Sequence, residues 1–165
     1  MKNYIFKMEE NIVKIEKFLL VLFVILMIIL SFYQLILRLF FHSGILWMDI
    51  FLRYLVLNTA MISAALVTYY RKHFAMDAIF NFIDKKWHKK MKIISNTFVL
   101  IISIFLTIAA YKFVKEEFLH SSIAFTIGNM DIKAFIFQIS IPISFLLIAF
   151  HTILNYFRLD NEFEI

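Results

Sequence analysis

The chain has 165 residues, 62% hydrophobic and 18% aromatic, with a mean hydropathy of +0.83, well above the roughly half-apolar composition of a soluble domain, so water is not its main solvent. The net charge of +5 does not point to nucleic acid, because the basic residues cluster in short segments beside apolar runs, where anionic lipid headgroups supply the countercharge. Without cysteine the chain has no disulfide, thiolate metal site or thiol redox chemistry.

In the first seventeen residues, Ile5, Met8, Ile12 and Ile15 recur at helical spacing against Lys2, Lys7, Lys14 and Lys17, which predicts an amphipathic helix on the membrane surface. The apolar run that follows stays apolar for about twenty residues and has no small-x-small cleavage site, so it reads as a retained anchor rather than a signal peptide. Four such runs, at about 18–37, 48–70, 93–111 and 134–156, are each long enough at about 1.5 Å per residue to cross a hydrocarbon core of about 30 Å. Residues 74–92 read as a second surface helix, with Phe74, Ile79, Phe80, Phe82, Ile83 and Trp87 against Lys85, Lys86, Lys89, Lys90 and Lys92. Gly44, Gly128 and Pro142 are the only glycines and proline, so no flexible linker divides residues 1–165, which form one domain. The fold expected is all-α: a polytopic four-helix bundle with two surface helices.

Orientation follows from Lys and Arg. Twelve of them lie in the N-terminal segment, the central connection and the tail, against five at the other ends of the spans (Arg38, Arg53, Lys112, Lys115 and Lys133). That asymmetry predicts both termini and the central basic connection in the cytoplasm. Trp47, Tyr70, Tyr111 and Tyr156 flank the spans where interfacial aromatics are expected.

An ion or proton pathway would require ionisable residues at mid-bilayer depth, and the four runs contain none there. Asp49 and Arg53, at i and i+4 near the start of the second span, are expected to pair and set its depth. His151 is the one histidine well inside a span, and no second histidine stands at its depth on a facing span to complete a bis-histidine haem site; His42, His73, His88 and His120 sit at span ends or in connections, so neither haem nor metal is expected. No catalytic set is spaced for nucleophilic or carboxylate chemistry, so the chain is not read as an enzyme. Gln34, Asn58, Ser63, Asn96, Thr97, Ser103, Thr107, Gln138 and Ser140 are interior polar groups that suit helix packing, as does the Ala60/Ala64 pair. Pro142 withholds the N–H that would bond to the Gln138 carbonyl and predicts a bend in the last span.

The segment Arg38 to Asp77 resembles the small membrane subunit, the DctQ or Q-type component, of tripartite ATP-independent periplasmic (TRAP) transporters. Matching positions are Arg38, Trp47, Asp49, Arg53, Tyr54, Arg71, His73 and Asp77, and Ile141-Pro142-Ile143 fits an isoleucine-proline element of the fourth span. The chain departs from the pattern in having a single acid, Asp49, after the Trp, and Asn58 where an aromatic is common. The resemblance implies a scaffold subunit of the bacterial inner membrane. It would brace a large M-type subunit that carries the substrate and sodium sites, so this chain would hold no cofactor. A periplasmic substrate-binding protein would deliver an organic acid, of the C4-dicarboxylate or sialic acid class, near Lys112, Glu116, Glu117 and Lys133; lipids are the remaining partners. The alternative is a self-sufficient four-span transporter acting as a homodimer, which would be expected to keep a membrane-embedded carboxylate.

Overall fold

In the computed structural model, which describes residues 2–70 and 85–162, helices α1 (Lys2–Phe41), α2 (Leu46–Tyr69) and α3 (Lys85–His120) are followed by a hairpin, β1 (Ile123–Ile127) and β2 (Met130–Lys133). A short α4 (Phe135–Gln138) and the long α5 (Ser140–Glu162) complete the chain. Four helical stretches, Tyr4–Phe41, Leu46–Tyr69, Trp87–His120 and Phe135–Arg158, are long and apolar enough to cross a membrane.

Two of these helices far exceed a bilayer. The 40 residues of α1 and 36 of α3 extend to about 60 and 54 Å. Here the first seventeen residues depart from expectation: they are not a separate surface helix but the opening turns of α1. Ile5, Met8 and Ile15 remain exposed, while the inward stripe runs Phe6, Glu9, Val13, Glu16 and Leu20. The apolar periodicity thus marked the outward face, and the carboxylates turn inward. Of the second expected surface helix, residues 85–92 form the first turns of α3 and 74–84 lie outside the described residues.

The helices pack chiefly as a row, α1 on α2, α2 on α5 and α5 on α3. Val13, Ile62 and Leu66, with Leu19, Leu20, Phe23 and Tyr69 around them, make the α1–α2 core. The row leaves a groove on each side. One, of about 350 Å³, runs between α1 and α5 over Asn58 and Ile62; the other, of about 420 Å³, runs between α2 and α3 over Phe145 and Ile148. Large apolar side chains cover the outside, among them Phe32, Phe98, Phe105 and Leu146. That arrangement is stable in lipid, where apolar exteriors carry no hydration cost and helices associate through packing and polar contacts.

The hairpin was not expected from an all-α reading. Its strands pair antiparallel, with Phe125 opposite Ile132 and Ile127 opposite Met130, and a register shift between Ile123 and Phe125. Gly128 (φ +60°) takes the first of two loop positions, where the tight turns that match strand twist require positive φ. Ser121 (φ +51°) ends α3 in a left-handed conformation, with the Ser122 N–H reaching back to the Glu117 carbonyl at 3.4 Å.

Candidate functional site

Polar and aromatic groups gather at both ends of the row. At the hairpin end, the α1–α2 turn is closed by Gln34, which is 4% exposed. Its amide nitrogen donates to the Ile45 carbonyl (3.1 Å) and to Asp49 Oδ1 (3.2 Å), and its oxygen accepts from the Ile45 N–H (3.4 Å). The Arg38 guanidinium forms an ion pair with Asp49 Oδ2. A Cβ on Gly44 would come within 3.3 Å of Gln34 Nε2 and 3.4 Å of Arg38 Nε, so a larger residue there would have to shift these two side chains by a few tenths of an ångström. Asp49 also lies in the first turn of α2, where the helix dipole favours a negative charge.

This corrects the expected Asp49–Arg53 pair. Asp49 reaches across the turn to Arg38, and Arg53, exposed, has no ion pair among the described residues. The i, i+4 rule considers one helix alone; a guanidinium on the antiparallel neighbour is a competitor it omits.

Beside this turn the aromatics interlock. Phe125 of β1 stacks on Trp47 (6.1 Å between centroids) and Phe137 (5.7 Å) and meets Phe51 edge-on (6.2 Å), while Tyr54 stacks on Phe137 at 4.8 Å. Phe125 is buried. The hairpin is therefore fastened to the start of α2 through ring contacts worth about 0.5–1.5 kcal/mol each beyond area burial. Trp47 and Tyr54, singled out in the sequence, belong to this cluster; Phe125 and Phe137 were not singled out. The signal was available in Ile123-Ala-Phe-Thr-Ile-Gly-Asn-Met-Asp-Ile-Lys, two short β-prone runs on either side of a two-residue Gly-Asn loop.

The bend expected at Pro142 is found as a break three residues earlier, at Ile139 between α4 and α5. With the helix broken there, the Phe137 carbonyl accepts instead from Asn58 Nδ2 (3.2 Å) and Ser140 Oγ (3.1 Å). The Asn58 amide also donates to its own helix at the Tyr54 carbonyl, 2.7 Å away. Asn58 thus has a structural task where an aromatic is common. Asn58→Leu is expected to lower stability by about 1–2 kcal/mol, since it removes one donor from a part-buried carbonyl that retains Ser140. Thermal unfolding of the detergent-solubilised chain measures it, and Asn58→Gln should recover part of the loss.

The other end holds a cluster that the sequence analysis missed. Read in the sequence only as a histidine without a second haem ligand, His151 is fully buried and meets two carboxylates: Nδ1 lies 2.9 Å from Glu9 Oε1, and Nε2 lies 3.5 Å from Glu16 Oε1. The other Glu9 oxygen accepts from Arg158 at 2.5 Å. Tyr69 lies edge-on to the imidazole at 5.5 Å, and the Arg158 guanidinium lies over the Tyr69 and Phe6 rings at 5.0 and 5.3 Å. Nearby, Asn155 Nδ2 donates to the Thr68 carbonyl (2.9 Å), and the Lys17 ammonium stands 5.1 Å from the Tyr70 ring centroid. The cluster joins the beginning of α1, the end of α2 and the second half of α5.

The remaining sequence candidates, Arg71, His73 and Asp77, lie outside the described residues. Lys112, Glu116 and Glu117 are on the last turns of α3, and Lys133 Nζ donates to the Ser121 carbonyl (3.1 Å) at the base of the hairpin.

A family model described as tripartite ATP-independent periplasmic transporters, DctQ component, matches residues 27–162. The match takes in the Arg38–Asp49 pair, the aromatic cluster, His151 and Arg158, and begins after Glu9 and Glu16. No curated protein matches the chain.

Proposed function

The chain belongs to the DctQ component family of TRAP transporters, and from that premise we propose that it is a small scaffold subunit. In this reading it braces a large M-type transport subunit during sodium-coupled uptake of an organic acid, of the C4-dicarboxylate or sialic acid class, delivered by a periplasmic binding protein. The observation that carries it is the family match over 27–162.

The row of helices supports a bracing role. Residues 54–69, 93–111 and 134–150 contain no Asp, Glu, Lys, Arg or His, so the middle of α2, α3 and α5 offers packing surface without a charged ion path. The buried carboxylates lie level with the last turn of α2, at the end of the row. In this reading the sodium and substrate sites belong to the large subunit. The grooves and the exposed Ala60 and Ala64 of α2 provide apolar surface for a neighbouring helix.

The Lys/Arg asymmetry supports a cytoplasmic Glu9–His151–Arg158 end and a periplasmic hairpin end. Lys112, Glu116, Glu117 and Lys133 then lie on the side from which the binding protein approaches.

Affinity purification of the tagged chain from native membranes in mild detergent tests the reading. The expected result is a large, roughly twelve-span partner recovered with it; recovery of a homodimer alone overturns the reading and favours a self-sufficient four-span transporter. In the same assay Asp49→Ala should reduce recovery of the partner and solute uptake, because the α1–α2 turn loses its ion pair. The chain itself should lose only about 1 kcal/mol or less, as expected of a partly exposed pair. Arg53→Ala, which breaks no ion pair within the described residues, leaves the turn intact, so any loss of partner recovery would place Arg53 at the subunit contact.

A further inference from the structure

The contacts of His151 fix how many protons the buried cluster must hold. Glu9 is ionised, because one of its oxygens accepts from Arg158, and a carboxylate beside a guanidinium keeps its charge. Its other oxygen, 2.9 Å from His151 Nδ1, is therefore an acceptor, and the proton of that hydrogen bond sits on Nδ1. Across the ring, Nε2 faces Glu16 Oε1 at 3.5 Å. His151 is 0% exposed and Glu16 4% exposed, and neither Glu16 oxygen nor Nε2 has a hydrogen-bond partner elsewhere. With Nδ1 already protonated, a bare Nε2 and an ionised Glu16 would confront each other with lone pairs in a buried site.

One additional proton resolves the conflict in either position. On Nε2 it makes an imidazolium between two carboxylates, balanced by Arg158; on Glu16 it makes a neutral acid facing a neutral imidazole, beside the Glu9–Arg158 pair. Both arrangements have zero net charge, whereas loss of the proton leaves one uncompensated buried negative charge. Among the described residues, those facing His151 are Glu9 and Glu16 from α1, the edge of Tyr69 from α2, and Phe150 from its own helix. Arg158 acts through Glu9, and the Lys17 ammonium is directed to Tyr70.

We propose that His151 and Glu16 together form a proton-binding site, and that the single exchangeable proton held there is required for the N-terminal turns of α1 to dock on α5. Glu16 also borders the groove between α1 and α5, whose lining is mostly apolar, with Leu19, Phe23 and Leu147 among it. Both carboxylates stand in the N-terminal extension of α1 ahead of residue 27, where the family match begins, whereas His151 and Arg158 lie within the match. When the proton leaves, the buried charge is relieved by separation of this extension from α5. The site is independent of which solute the transporter carries.

Since the chain has no cysteine, two spin labels report on this contact directly, placed at the exposed positions Glu10→Cys and Ile153→Cys of the full chain in lipid nanodiscs. Near neutral pH the expected distance distribution is single and narrow; as pH rises it should broaden and shift to longer distances, with loss of the short population. Adding Glu16→Gln should keep the short population over the same pH range, because the amide donates to Nε2 of a neutral imidazole without an added proton. An unchanged wild-type distribution throughout the titration overturns the proposal, as does Glu16→Gln widening in step with the wild type. If Glu16→Gln does not fold, nitrogen-15 spectra of His151 and the carboxyl infrared band of the unsubstituted chain decide the matter. A doubly protonated ring or a protonated Glu16 is expected at neutral pH, and a neutral ring beside an ionised Glu16 overturns the proposal.

Discussion

Replacing Glu9 with alanine is expected to release the first turns of α1 from α5, at a cost of about 3 kcal/mol. The carboxylate is fully buried and accepts from two groups at once, His151 Nδ1 and Arg158. Its removal leaves a buried imidazole N–H without an acceptor and a guanidinium without its anion. Breaking a buried ionic pair from one side typically costs about 3–5 kcal/mol, and the lower end applies because the Arg158 side chain is 26% exposed and can turn toward solvent or headgroups. The loss should be local. Val13 and the α1–α2 core lie just beyond, so backbone hydrogen exchange should accelerate in residues 4–12 while Leu20 to Gln34 keep their protection. Glu9→Gln, which retains an acceptor for His151 but no charge for Arg158, should fall between alanine and wild type. Unchanged protection of residues 4–12 in Glu9→Ala would show that apolar contacts of α1, not the ionic cluster, hold the segment.

The second large effect is expected from Phe125→Ala at the opposite end. Phe125 is buried among Trp47, Phe51 and Phe137, and truncating a buried phenylalanine costs about 3–5 kcal/mol in well-packed cores. The hairpin is tied to α2 mainly through this ring, so the expected outcome is detachment of β1 and β2 with the helix row intact. Trp47 reports it: in a Trp87→Phe background its emission should shift to the red, and protease cleavage near Gly128 should increase. Phe125→Leu fills much of the volume without stacking and should lose about 1 kcal/mol or somewhat more. Retention of the wild-type emission in Phe125→Ala would mean that the hairpin is held by its base, through the Ala134 N–H to Ser122 carbonyl bond (2.9 Å), and not by the rings.

The two ends of the row differ in how legible they were. Arg38, Trp47, Asp49 and Tyr54 stand in a short ordered string, and the turn between two antiparallel helices brings such neighbours together almost whatever the rest of the chain does. Even there the partner of Asp49 was misread, because i, i+4 geometry is a rule for one helix and Arg38 lies on the preceding one. The bend expected at Pro142 takes the form of a break at Ile139, three residues before it. Where the freed Phe137 carbonyl would find donors depended on the position of Asn58, 79 residues away.

The sequence by itself determined that four apolar helices form, that they lie in lipid, and that the chain resembles a TRAP small subunit. Those properties depend on run length, hydropathy and local motif order, all read along the chain. Only the tertiary structure decided that the first turns of α1 belong to the helix row and that Glu9 and Glu16 point inward to His151. Glu9 and His151 are separated by 142 positions, and periodicity shows which residues share a face, not what that face meets. In the first turns of α1 the exposed apolar residues Ile5, Met8 and Ile15 share the outside with Lys7, Glu10, Lys14 and Lys17, while Glu9 and Glu16 turn inward beside Val13, where another helix supplies their partners.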